Sequence, residues 1–431
     1  MKFGVFYEHQ LPKPWNKRSE KKLFDESLDQ AELADKLGFD FVWAVEHHFL
    51  EEYSHSSSPE IFLAACSQRT EQIRLGHGIV LMLPAYNHPV RVAERLSTLD
   101  IISGGRVEWG TGKSSSSVEL GGFGLNPFDK DTLDLMWHES VREVSKMLKS
   151  TPYPGFKGKT FSVPVRNIVP KPIQTPHPPL WMACTSRESI VKAARLGVGA
   201  LTFAFTEPDN AKFWVEEYYE TFERECHPIG QAVNPNIAMT VGLSCHRNAQ
   251  TDSECVSQGF RFFGHALSHY YAHGSHEPGN SNIWGEYVND VKGEQFPDYC
   301  VGTPDKILEN LKKYEESGVD QVIFLQQAGK IDHERICNSM QLFSEEVMPY
   351  FKLNIDAKEN KKRQRLDLAV KKALARIETI QDSSHVRVDS TPLMMKKNNI
   401  AMPESKHETF VGVVSGTENS SHIQTYKNTK K

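Results

Sequence analysis

The sequence predicts an α/β fold, a (β/α)8 TIM barrel with insertions, followed by a polar C-terminal extension. Three observations carry that reading. Short apolar runs alternate with amphipathic stretches from the first residues to about residue 350. Eight such pairs can be counted, which is the barrel number. At 431 residues the chain exceeds the roughly 250 of a single barrel domain, leaving room for insertions and a tail. A doubly wound open sheet is the alternative for the same alternation.

The elements follow in order. Lys2–Tyr7 reads as the first strand, and Glu20–Leu37 as a helix stopped by Gly38. Phe39–Val45 is the second strand, Pro59–Arg69 a helix, and Ile73–Met82 the third strand. Pro89 opens a helix where a missing N–H costs nothing, and Ser103-Gly104-Gly105 ends it. Arg106–Gly110 enters the fourth strand, and Thr132–Leu148 is helical. The proline-rich passage from Pro152 to Pro179 is too long for an ordinary barrel loop. Strand and helix then alternate as Leu180–Cys184, Arg187–Leu196, Ala200–Phe205, Asn210–Cys226 and Ile237–Cys245. A long helix, Asp252–His273, leads into Gly274–Cys300, rich in Gly, Asn and Ser and read as irregular. Thr303-Pro304 starts a helix to Ser317, Gln321–Leu325 is the eighth strand, and His333–Val347 closes the barrel. The barrel is thus expected over 1–351. Residues 352–431 are expected as one exposed helix (Lys358–Ile380) and a disordered tail.

Charge and cysteine content narrow the function classes. The net charge of −5 splits unevenly: residues 356–431 hold 15 Lys/Arg against 9 Asp/Glu, a net of +6, leaving −11 for the body. An acidic body argues against nucleic acid as a partner. The seven cysteines are widely spaced without a C-x-x-C pair, which points to a reducing, cytoplasmic compartment. No window approaches the ~18 apolar residues of a membrane span.

Functional residues of such a barrel sit at the C-terminal ends of its strands. Glu46-His47-His48 stands directly after the second strand, and a near-neutral imidazole there suits proton transfer. Adjacent residues of an extended chain point apart, so the two histidines are expected to do different jobs. Gly76-His77-Gly78-Ile79 places glycines inside the third strand, a mark of a bulge or close approach. Gly112-Lys113-Ser114 fails as a P-loop, because Val107 stands where that motif needs glycine; a glycine-rich loop with one cation remains. Thr185-Ser186-Arg187-Glu188-Ser189 opens a helix whose free N–H groups suit a phosphate, plain N-capping being the alternative. His265, His269 and His273 fall on one helix face, but no carboxylate completes a metal set, so no metal is expected. Trp43, Trp109, Trp284 and Phe123 could line an apolar pocket or fill the core.

These segments together resemble the bacterial-luciferase-like flavin-dependent monooxygenases, the alkanal monooxygenase type. The matching stretches are MKFGVF, FDFVWAVEHHF, LGHGIVLMLPAYNHPVRVAERLSTLDIISGGRVEWGTGKS, VPKPIQTPHPPLWMACTSRESIVKAARLGVGAL, VGTPDKILENLKKYEESGVDQVIF and FSEEVMPYF, in family order over about residues 1–351. The resemblance implies reduced FMN, supplied by a separate flavin reductase. It implies O2 reacting with that flavin to give a C4a-(hydro)peroxyflavin that oxygenates a small apolar organic substrate. His47 then matches the catalytically important histidine, with His48 and Glu46 beside it. Thr185, Ser186 and Ser189 match positions around the flavin phosphate, and Lys113 a cationic contact. Gly78-Ile79 matches a non-prolyl cis peptide beneath the isoalloxazine, and 274–300 a mobile lid. The reactive cysteine of light-emitting luciferase is replaced by Gly112, with an acidic Glu119 in the same loop, which weighs against light emission. A homo-oligomer or a heterodimer with a paralogue is expected. Two other readings remain: F420-dependent hydride transfer on the same fold, and a catalytically silent flavin-binding accessory protein.

Overall fold

The structure, a computed structural model, describes residues 1–202, 208–248, 253–290 and 300–388. Eight parallel strands close into a barrel. They are β1 (Lys2–Tyr7), β2 (Phe41–Ala44), β3 (Arg74–His77), β4 (Val107–Gly112), β5 (Leu180–Cys184), β6 (Gly199–Thr202), β7 (Ile237–Cys245) and β8 (Gln321–Leu325). Closure is made by β8 on β1, with Lys2 opposite Gln321 and Phe6 opposite Leu325. The strands read as near-continuous apolar runs because both faces are covered, by the barrel interior and by the surrounding helices. Trp43 and Trp181 meet edge to face inside at 5.6 Å between ring centroids. A Cβ at Gly76 would lie 2.2 Å from the Trp43 indole, so only glycine lets β3 pass that ring. Trp43 and Trp109 are therefore core residues, both fully buried.

Three expectations are corrected. The third strand is not continuous: β3 stops at His77, and the short piece Val80–Leu81 pairs with β4 instead. The Gly78–Ile79 peptide between them is trans; the cis bonds among the described residues all precede proline, at Pro14, Pro152, Pro170 and Pro176. The Gly78 N–H still finds the Ala44 carbonyl at 2.7 Å, so the kink leaves that donor paired. Second, the expected helix Asp252–His273 ends as an α-helix at Ser268, with a π-turn over His269–His273. The 274–300 segment expected as irregular contains the helix Ile283–Asp290, and its residues 291–299 lie outside the described ones.

Third, the helix expected to be exposed beyond residue 351 is packed. It runs from Ile355 to Leu374 and buries Leu366 and Ala373. Lys362 Nζ reaches Asp320 Oδ1 at 2.7 Å and Asn236 Oδ1 at 2.6 Å, and Arg365 pairs with Glu223. Just before that helix, Lys352 pairs with Asp40 at 2.7 Å. Asp40, Asn236 and Asp320 immediately precede β2, β7 and β8, so this basic helix sits against acidic groups at the N-terminal face of the barrel. Part of the chain's charge asymmetry thus has a packing partner. Residues 385–431 form a second unit, of which 389–431, the expected disordered tail, lie outside the described residues, as do 203–205 of the expected sixth strand.

The proline-rich passage is also organised. Phe156–Lys157 and Ser162–Val163 form a small antiparallel hairpin. The Tyr153 hydroxyl donates to Glu143 at 2.7 Å, and Lys171 Nζ caps the end of the helix Lys130–Lys149 at the Met147 and Ser150 carbonyls.

Candidate active site

The C-terminal mouth of the barrel collects Glu8 just beyond β1, Glu46-His47-His48 beyond β2, Lys113-Ser114 beyond β4, and Thr185-Ser186 beyond β5. The His47 imidazole lies between two carboxylates. Its Nδ1 is 3.1 Å from Glu119 Oε1 and its Nε2 is 3.1 Å from Glu8 Oε1. Glu8 and Glu119 are 1% and 0% exposed. Burial alone would lower the imidazole pKa, but the charge of Glu119 and then of Glu8 outweighs it and pushes His47 up to about 9. Burial pushes Glu8 up to about 7 against the pull of His47. Burial would raise Glu119 too, but His47, the Ser114 hydroxyl and the His48 N–H hold it below its usual range. Those last contacts are at 2.6 Å from Ser114 Oγ and 2.9 Å from the His48 amide.

His48 has a separate partner. Its Nε2 is 3.2 Å from Glu46 Oε1. Glu46 also accepts the Leu81 N–H at 2.7 Å and the Asn87 amide at 2.8 Å, so one buried carboxylate joins the loop after β2 to the end of β3. The His48 ring packs on Phe123 at 5.0 Å and on Tyr86 at 5.7 Å. The alternation expected for adjacent histidines thus gives each one its own carboxylate. Phe123 lies in this aromatic group beside Phe49, which is 54% exposed at the rim. Trp284 lies elsewhere, against Phe262 and under Lys330.

Backbone strain is concentrated in the same loops. Among the described residues, the non-glycine ones with left-handed φ are His9, Phe49, Glu52 and Ser114, all following β1, β2 or β4. Each costs of order 1–3 kcal/mol and persists where its surroundings over-determine it. Glu52 shows how: its buried carboxylate accepts the Lys13, Ile283 and Trp284 amides and the Ser281 hydroxyl at 2.9–3.1 Å. That ties the histidine loop to the start of the helix Ile283–Asp290. Close by, the Tyr270 hydroxyl of the π-turn donates to the Glu51 carbonyl at 2.8 Å.

The remaining expected site residues occupy the β3–β5 side of the mouth. Gly112 faces Ile79, whose Cδ1 would lie 2.2 Å from a Cβ there, so that side chain would have to shift to admit one. Lys113 pairs with Asp134, which Lys192 also approaches at 3.3 Å. Ser186 and Ser189 form a capping box for the helix Arg187–Arg195. Thr185, Ser186 and Arg187 are exposed. The capping reading of that segment is thus met.

The metal-like histidine series does not keep its phase. His269 bonds His276 at 2.9 Å across the π-turn, the His265 ring packs on Tyr287, and the side chain of His273 is outside the described set. Sequence reasoning missed Glu8 and gave Glu119 no role. Glu8-His9 directly after an apolar strand is the same signal as Glu46-His47, and it could have been read the same way.

The luciferase-like monooxygenase family model matches residues 1–321. The oxygenase component of a flavin-dependent trigonelline monooxygenase from Acinetobacter baylyi is 23% identical over 365 residues, 81% of this chain and 96% of that protein. An uncharacterized protein of Sinorhizobium fredii is 35% identical over 195 residues, and the match spans only 54% of that relative's length. Among solved structures, the monooxygenase RslO1 from Streptomyces bottropensis superposes with a TM-score of 0.66 at 27% identity, covering 81% of this chain and all of that one. An F420-dependent secondary alcohol dehydrogenase shares the fold at 17% identity, with a TM-score of 0.61 over 80% of this chain and 98% of that one. With its barrel fold and this match over most of its length, the chain belongs to the luciferase-like monooxygenase family.

Proposed function

We propose that the protein is the oxygenase component of a two-component, FMN-dependent monooxygenase. A separate reductase supplies reduced FMN, and a small apolar organic substrate is oxygenated with O2. The observation that carries this reading is His47 held between two buried carboxylates at the barrel mouth of a family member.

The residues present fit the cofactor's demands. Its phosphate would be met by Thr185, Ser186 and Ser189 at the exposed start of the helix Arg187–Arg195, where the helix dipole favours an anion. Lys113 adds a positive charge. Gly78, Ile79 and Gly112 would hold the ring system of the cofactor. Reduced flavin, when bound, supplies O2 activation at its C4a carbon. The chain does the rest. His47 and the two carboxylates on either side of it handle the proton at the mouth. Glu46 and His48 brace the loop that carries it, and Tyr86, Phe123 and Phe49 offer an apolar entrance for the substrate. The aromatic ring and the 274–290 segment would limit water around the reacting atoms.

Anaerobic protein is mixed with photoreduced FMN, or with reduced F420, and then with O2. The proposal expects tight binding of reduced FMN and an oxygen-dependent transient that outlives free flavin's reoxidation. Binding of F420 with immediate reoxidation of FMN would move the assignment to hydride transfer. O2 consumption unaffected by any apolar substrate, with FMN bound, would point to the silent flavin-binding reading.

A further inference from the structure

His47 is contacted on both ring nitrogens by carboxylate oxygens, each at 3.1 Å. A carboxylate anion only accepts, so both contacts are attractive only when both nitrogens carry protons. A neutral imidazole would face one of the two carboxylates with a lone pair. With both carboxylates ionised the ring must therefore be an imidazolium, and any further proton goes to a carboxylate, because the ring has no nitrogen left to take it. Glu119 is the poorer place for that extra proton. It already accepts the Ser114 hydroxyl at 2.6 Å and the His48 amide at 2.9 Å, and both contacts favour the anion. Glu8 has neither. Its two oxygens are buried and receive no hydrogen bond of good geometry, with the His47 contact and weaker approaches from the Ser54 and Tyr53 hydroxyls to hold a charge. A buried carboxylate so poorly served favours its neutral form.

We infer that Glu8, not His47, is the group that takes up and returns the proton at this site, with His47 kept as an imidazolium clamped between Glu8 and Glu119. The inference rests on the proposed function for its use, since it names the chain's acid–base group in that reaction. Its evidence is independent of any flavin. In the exchange, Glu8 gains a proton from the reacting centre or solvent as its carboxylate becomes an acid, and loses it again; the ring keeps both N–H bonds throughout. His47 thereby acts as a fixed positive charge facing the mouth. The other titratable groups that face the pair are Glu46, toward His47, and the phenols of Tyr53 and Tyr271, toward Glu8. Tyr271 comes from the π-turn, and burial keeps both phenols protonated well beyond the working range. The directions agree with the geometry: Glu8 is driven up to about 7 and His47 up to about 9, while Glu119 is held low.

The test is an NMR titration of flavin-free, full-length protein with labelled histidine and glutamate, assigned through His47→Gln and Glu8→Gln. The wild type is expected to keep the His47 ring doubly protonated to above pH 8, while the Glu8 carboxyl carbon titrates near 7. Glu8→Gln should lower the His47 midpoint by at least one unit and remove the step near 7. Glu8→Asp, keeping the charge, should retain a carboxyl step above 5.5. A wild-type His47 ring that titrates near 6.5, or a Glu8 carbon that titrates below 5, overturns the inference even if both variants misfold. Loss of reduced-FMN binding with the titration as expected would sink the proposed function and leave this inference standing.

Discussion

On the β1–β4 side of the mouth, Glu8, Glu46 and Glu119 are at most 5% exposed, and each is answered by a histidine. On the β5 side, Thr185, Ser186 and Arg187 stand in solvent, and the helix start is closed by its own serines. The first side concentrates charge where water cannot screen it, so small displacements there carry large energies. The second presents donors that cost little to leave open and little to occupy. A mouth built this way separates the work: the buried side sets protonation, and the exposed side can receive a charged, removable ligand. The variants below are chosen to break that division or to sharpen it.

The largest effect is expected on the buried side. Glu119→Gln removes the anion beside His47 Nδ1, and turnover should fall about hundredfold, within the range for acid–base groups. Reduced-FMN affinity should change little, which steady-state kinetics and a binding titration would separate. Glu46→Ala comes next. It strips the Leu81 N–H and the Asn87 amide of their acceptor and should cost about 3 kcal/mol of folding stability, read by denaturant unfolding. A loss below about 1 kcal/mol would mean that the loop is braced by other contacts.

Stability should also depend on pH with an unusual sign. Glu8 is raised above its unfolded value, so its contribution is present below about 4.5 and is lost as pH rises through about 7. His47 is raised likewise, and its contribution is present below about 6.5 and lost as pH passes about 9. Melting temperature at this site should therefore drift down from pH 5 to 9, and Glu8→Gln should flatten the part between 5 and 7. A melting profile identical in the two proteins would remove Glu8 from the account.

On the exposed side the effects shrink. Ser186→Ala loses an N-cap and should cost about 1 kcal/mol. Binding of FMN should weaken several-fold while riboflavin, lacking the phosphate, is unaffected. The smallest change is expected for Asp134→Asn, which frees Lys113 and Lys192 from a half-exposed carboxylate. Such pairs are worth about 0–1 kcal/mol, so unfolding should barely move, while FMN affinity should rise if those lysines face the phosphate.

The same contrast explains what could be read from the sequence. Exposed and local features were legible: the Ser186–Ser189 box, the proline-led helix starts, and strand boundaries such as Leu180–Cys184, Ile237–Cys245 and Gln321–Leu325 follow from short-range periodicity and capping. The histidine pair was legible as a site, because it stands at a strand's C-terminal end. Its partners were not, since Glu8 and Glu119 lie 39 and 72 positions from His47 in the chain and meet it only when the strands before them are laid side by side. Bending of the third strand at Gly78 could be anticipated from glycine, but not that the Gly78–Ile79 peptide is trans. The helix Ile355–Leu374 looked exposed because its charges outnumber its apolar residues. Its partners Asp320, Asn236 and Glu223 are far away in sequence and are found only by folding.

The division of labour is tested most directly by His47→Ala in rapid mixing with reduced FMN and O2 in the presence of a turned-over substrate. Reduced-FMN dissociation constants should agree with wild type within about threefold, while product formation falls by about 10²–10⁴-fold. Parallel loss of flavin binding and product formation would contradict it, because His47 would then be holding the cofactor's place instead of setting the protonation of the site.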